Sequence, residues 1–127
     1  MTDLSCYLGL PYQKSFDCLD FVCLAYREKF NKTVPDIHNH GHTTLDQQRQ
    51  ILKRMGDYCI ELDTPKNPCL VLLRQGSRIR HIGIYYMCRN RDYIIHNSPF
   101  AGHVVQSRPD RMLFQGYEVC SYLDWKT

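Results

Sequence analysis

Leu19, Phe21, Val22, Ala25, Tyr26 and Phe30 recur at helical spacing, with Lys and Glu filling the other side, which predicts a helix from about Asp17 to Phe30. Ser15 and Asp17 are both good N-cap types, Asn31 suits the far end, and Pro35 forbids continuation. Cys18 therefore falls in the first helical turn. Residues 31–43 are polar, lack a period and contain Pro35 and Gly41, so they read as an exposed connection. A second, half-exposed helix is expected next. Thr44 and Gln47 have the capping-box spacing, Leu45, Ile51, Leu52 and Met55 give an intermittent stripe, and Gly56 suits a stop. From residue 57 the period shortens to runs rich in Val, Ile, Tyr and Leu at 58–62, 69–74, 79–87, 92–96, 103–106 and 116–123, which predict strands. Helices first and strands afterwards, with short connections between the strands, indicate an α+β fold: N-terminal helices packed on an antiparallel β-sheet.

A chain of 127 residues without repeats or low-complexity linkers is expected to form one domain spanning 1–127. A hydrophobic fraction of 43% and an aromatic fraction of 12% describe a chain able to bury a core. The net charge of +3 is small and no Lys/Arg run tracks phosphates, so no nucleic-acid partner is implied. Cys69 to Leu73 is the longest nearly uncharged apolar run, far short of the roughly 20 residues of a membrane span. Met1 to Pro11 carries Asp3 and no basic residue before a short broken apolar stretch, so no signal peptide is read and the chain is expected to be cytoplasmic as synthesised. The seven cysteines are odd in number, so at least one thiol is free, and show no C-x-x-C pair, so most of them read as small buried apolar residues in a reducing compartment.

Cys18 differs from the other six by its position. A thiol in a first helical turn faces unpaired N–H groups and the positive end of the helix dipole, both of which favour thiolate, the nucleophilic form. The plain alternative is that it packs on the core face. A base is offered by Arg80-His81-Ile82-Gly83-Ile84-Tyr85, where alternation puts His81 on one face with Ile79, Gly83 and Tyr85. The chain returns as Asp92-Tyr93-Ile94-Ile95-His96-Asn97. A hairpin centred between residues 88 and 89 would set His81 directly opposite His96, close enough for one ring to orient the other, with Asn97 on the opposite face. The alternate histidines of His38-Asn39-His40-Gly41-His42 could share a face and bind Zn or Ni, but no cysteine accompanies them, and a solvated loop is the preferred reading. No cofactor and no metal are expected.

Together, Gly9-Leu10-Pro11-Tyr12, Phe16-Asp17-Cys18-Leu19-Asp20-Phe21-Val22, Leu70-Val71-Leu72-Leu73-Arg74, His81-Ile82-Gly83-Ile84-Tyr85 and Tyr93-Ile94-Ile95-His96 resemble, in order, the NlpC-type cell-wall peptidases. The short loop from Pro11-Tyr12 to Asp17-Cys18, and Ala25 to Phe30 leading to Pro35-Asp36, resemble the phage tail-assembly branch. The resemblance runs from about Leu8 to Tyr122. It implies a papain-like fold in which Cys18 is the nucleophile, His81 the base, His96 its orienting partner, and Tyr12 a helper of the Cys18 N–H at the oxyanion. The implied activity is a cysteine peptidase or amidase acting through an acyl-enzyme on peptidoglycan stem peptides, at a D-Glu to diaminopimelate type of bond. Phage tail proteins are implied partners, and a virion-associated place is an alternative to the cytoplasm. Leu19 and Asp20 depart from the small or aromatic residue and glycine usual in that family, and a carboxylate at 20 opposes thiolate unless it caps the helix. Two other readings are a catalytically silent tail component of the same fold and a related thiol acyltransferase; the order Cys, His, His favours the peptidase. Lys14, Arg78 and Arg80 would suit a carboxylate-rich stem peptide.

Overall fold

The computed structural model describes residues 2–35, 51 and 53–126. Helix α1 spans Cys18–Lys29. It starts there because Asp17 has extended backbone and its Oδ1 accepts the N–H groups of Leu19 and Asp20, both at 3.0 Å. Asp20 reciprocates by accepting the Asp17 N–H at 3.0 Å, so three donors at the helix start are satisfied. At the other end, the N–H groups of Phe30 and Lys32 both reach the Tyr26 carbonyl, and Asn31 takes the left-handed conformation, φ 49°. Leu19, Phe21, Val22, Ala25 and Tyr26 form the buried face.

Of the second expected helix, residues 53–58 are helical, and Ile51 and Met55 are buried. Its expected start at Thr44, with Leu45 and Leu52, lies outside the described residues. The helix passes through Gly56 without stopping and leads directly into the first strand.

Six strands follow: β1 (Cys59–Leu62), β2 (Cys69–Gln75), β3 (Arg78–Cys88), β4 (Arg91–Ser98), β5 (His103–Ser107) and β6 (Glu118–Trp125). They form one sheet in the order β1-β6-β2-β3-β4-β5, with every neighbouring pair antiparallel. The α+β reading with an antiparallel sheet therefore describes the molecule. β6 starts two residues later than its apolar run, because a 3₁₀ helix at Pro109–Gln115 and the left-handed Gly116, φ 86°, come first.

Leu70, Leu72, Ile82, Ile84 and Ile95 share a core with α1, whereas Cys69, Val71, Leu73, Tyr85 and Ile94 pack with Met112 and Tyr117. β2 is thus buried on both sides, which explains why its apolar residues run without alternation. Each large apolar side chain removed from water here contributes about 2 kcal/mol. No disulfide links the seven cysteines.

Residues 9–12 extend this sheet alongside β5. Gly9 N–H reaches Val104 O at 3.0 Å, Val104 N–H reaches Leu10 O at 2.9 Å, and Tyr12 N–H reaches Gly102 O at 2.9 Å.

The β3–β4 register differs from the expected one. Arg89 and Asn90, φ 53° and 64°, form a two-residue turn, so Cys88 pairs with Arg91 and Ile84 with Ile95. Successive left-handed residues give the turn whose twist matches a hairpin, and this places the centre one residue later than expected. By continuation of this register, His96 lies across from Gly83, and His81 is its diagonal neighbour. The pairing slips by two positions in all, so both histidines keep to one face.

Candidate active site

His81 and His96 touch despite not being directly opposed. His81 Nε2 lies 2.7 Å from His96 Nδ1, with the rings at 80° and centroids 4.7 Å apart. Gly83 is what permits this approach: a Cβ built there would fall 2.9 Å from Ile95 O and 3.1 Å from His96 Cβ. On its far side His96 Nε2 meets Gln115 Oε1 at 2.7 Å. Tyr117 stacks on His81 at 4.9 Å and 19°, and presents an edge contact to His96 at 5.4 Å. Gly116 lets Gln115 and Tyr117 flank the two rings.

The thiol arrives from the helix side. The β3–β4 ladder ends at Ile84 and Ile95, and beyond it the first turn of α1 is held by both strands. Asn97 on β4 donates to Phe16 O at 2.9 Å and to Asp17 O at 3.4 Å. The backbone N–H of Ile82 on β3 lies near enough to the Cys18 sulfur to favour its ionised form. Cys18 therefore stands against β3 one residue along from His81. Cys18, His81 and His96 are only 4%, 2% and 0% exposed.

Burial sets the protonation states. It depresses His81 far below the ordinary imidazole range, with the neighbouring His96 adding to the effect. It depresses His96 to about 4, partly opposed by the Gln115 hydrogen bond. Both rings are neutral at neutral pH. The Cys18 thiol is pushed up, first by burial and then by the Asp17 carboxylate, against the N–H groups of Ile82 and Leu19. The expectation of a resting thiolate is thus corrected: loss of water and two nearby carboxyls outweigh the helix dipole. Asp17 itself is pushed up to about 7, chiefly by burial.

Tyr12 is half-buried and electrostatically coupled to Cys18, Asp17 and Tyr117. Burial, followed by the potential of Cys18, raises its phenol above the ordinary range, so it keeps its proton and is a donor. The structure thus joins His81 to His96 and sets Cys18 near Ile82 and Tyr12, while no hydrogen bond among the described residues links Cys18 to His81. Gln115, Tyr117 and the steric role of Gly83 were not legible in the sequence. The left-handed Gly116 after a short Pro-led helical stretch is the one local signal, and it does not say what its neighbours face. Among the described residues no three His, Cys, Asp or Glu side chains gather as a metal site, and no helix is long and apolar enough to cross a membrane. The His38-His40-His42 run lies outside the described residues.

The chain is 31% identical over 100 residues to murein DD-endopeptidase MepS/murein LD-carboxypeptidase of Escherichia coli K12. The proteins of that name from Escherichia coli O6:H1 and O157:H7 match equally. This likeness supports the NlpC-type resemblance. It covers 79% of this chain and 45% of the relatives, so the chain spans less than half the length of the curated proteins it matches. No family model and no solved structure matches the chain.

Proposed function

We propose that this chain is a cysteine peptidase or amidase of papain-like, NlpC type that hydrolyses amide bonds in peptidoglycan stem peptides, at a D-Glu to diaminopimelate type of bond. The observation that carries the reading is a pair of neutral, hydrogen-bonded imidazoles one strand residue away from a thiol at a helix start. Similarity to a murein endopeptidase supports the substrate class. Cys18 sulfur attacks the amide carbonyl while its proton passes to His81; the Cys18 N–H and the Tyr12 hydroxyl meet the resulting oxyanion. The C–N bond then breaks as His81 returns the proton to the leaving amine. Water, deprotonated by His81, attacks the thioester and frees the acid, and the proton returns to sulfur. The thiol is neutral at rest and gives up its proton to His81 as it attacks.

The phage tail setting, with tail proteins as partners and action during wall penetration, rests on the likeness of residues 11–18 and 25–36 to that branch. The upward shift of the Cys18 thiol favours a second reading, a silent tail component of the same fold. Purified sacculi separate the two. Wild type is expected to release peptide fragments whose masses identify the cut bond, and Cys18→Ala to release none while unfolding at a similar temperature. Equal release by the two proteins removes the cysteine mechanism, and no release by wild type leaves the silent reading.

A further inference from the structure

Two touching neutral histidines have two opposite proton arrangements, which differ in whether His81 Nδ1 carries a hydrogen or a basic lone pair. The choice is made outside the pair. Gln115 Oε1, 2.7 Å from His96 Nε2, can only accept, so that nitrogen carries the hydrogen. His96 Nδ1 is then a lone pair, and it accepts the Nε2–H of His81 across 2.7 Å. His81 Nδ1 is thereby left unprotonated. Were the Gln115 amide reversed, its NH₂ would donate, every proton in the chain would move over, and Nδ1 would carry hydrogen and could not act as a base.

We propose that Gln115 is a positioning residue: its side-chain oxygen orders the tautomers of His96 and His81 so that His81 presents a basic Nδ1 to the Cys18 proton. This rests on the cysteine-hydrolase reading above. The backbone suits the task. Gln115 ends the 3₁₀ helix Pro109–Gln115, which is anchored by buried Met112, and the Gly116 and Tyr117 N–H groups reach back to Leu113 O and Met112 O. Tyr117 stacks on the His81 ring and closes one of its faces. During attack the S–H proton moves to His81 Nδ1, and the imidazolium keeps its Nε2–H donated to His96. Gln115 gains no proton; it stabilises an arrangement.

Gln115→Leu keeps the size and removes the acceptor, whereas Gln115→Glu keeps an acceptor and adds charge. For Gln115→Leu, kcat on purified stem-peptide fragments is expected to fall about tenfold with KM within about twofold, and iodoacetamide alkylation of Cys18 to slow in parallel. Nitrogen NMR of the histidines should show Nε2–H on both rings in wild type and a mixture in Gln115→Leu. Gln115→Glu should restore kcat at mildly alkaline pH while its acidic limb moves to higher pH, because the carboxylate favours the imidazolium. Unaltered kcat and ring tautomers in Gln115→Leu, with Cys18→Ala inactive, overturn the proposal and leave the parent reading intact. A Cys18→Ala protein that still hydrolyses overturns both. Thermal unfolding near wild type shows that any loss is not one of folding, and a Gln115→Glu protein as slow as Gln115→Leu also overturns the proposal.

Discussion

Gly83 shows how an absent side chain can carry a site. The diagonal contact of His81 with His96 needs the space a Cβ would take, and the atom in the way is a backbone carbonyl that cannot rotate aside. Gly83→Ala is therefore expected to lose about 2 kcal/mol in urea unfolding and at least about tenfold in hydrolysis, by prising β3 from β4. An alanine variant with wild-type stability would show that the strands adjust freely. Asp17 does two things at once, capping α1 and opposing ionisation of Cys18. Asp17→Asn keeps the acceptor and removes the charge, so Cys18 should ionise at lower pH and react faster with iodoacetamide at neutral pH, while the helix keeps its stability to within about 0.5 kcal/mol. An alkylation profile identical to wild type would place the cause of the raised thiol in burial alone.

Between elements, the decisive joint is the one between α1 and the ends of β3 and β4 beyond their paired residues. Asn97 lies buried on the helix-facing side of β4, as alternation from His96 requires, and ties the two carbonyls that precede Cys18. Asn97→Ala leaves those carbonyls without their donor. The expected cost is about 2 kcal/mol, and hydrogen exchange at the Leu19 and Asp20 amides should quicken more than at Tyr26. Uniform exchange along α1 would contradict a local joint. The same hairpin marks the limit of pattern reading: the strands and the shared face of the two histidines followed from alternation, but the turn centre did not. Arg89 and Asn90 are not a strong turn signature, and only their left-handed geometry sets which residues pair.

Across the fold, burying two neutral imidazoles makes stability depend on pH. His96 has a folded value of about 4 against 6.5 in the unfolded chain, and His81 is likewise depressed, so below pH 6.5 the unfolded chain takes up protons that the folded one refuses. Each ring then removes about 1.4 kcal/mol per pH unit. Asp17 acts in the opposite sense: raised to about 7, it stabilises the folded state at low pH and loses that contribution as pH rises through 7. Two protons against one leave a net loss of about 1.4 kcal/mol per unit as pH falls from about 6 to 5. Urea unfolding at several pH values measures this directly, and a His96→Gln protein should show a flatter profile. Stability rising over that interval would mean that the imidazoles are not buried neutral.

How much of this was open to a reader of residues alone divides along a physical line. Short-range order comes from neighbours within a few positions, so the Asp17 start and Asn31 end of α1, the six strands and the α+β class could be read from spacing and cap chemistry. The resemblance to cell-wall peptidases likewise needed only short motifs, and it singled out Cys18, His81, His96 and Tyr12. What lay beyond reach involved partners distant in the chain. The hairpin register, the Gly83 clearance, the Gln115 and Tyr117 flank of the imidazoles, and the neutral state of the thiol all depend on which surfaces meet and how much water they exclude. Packing decides those, because desolvation acts on an assembled neighbourhood and leaves no mark on any single stretch of sequence.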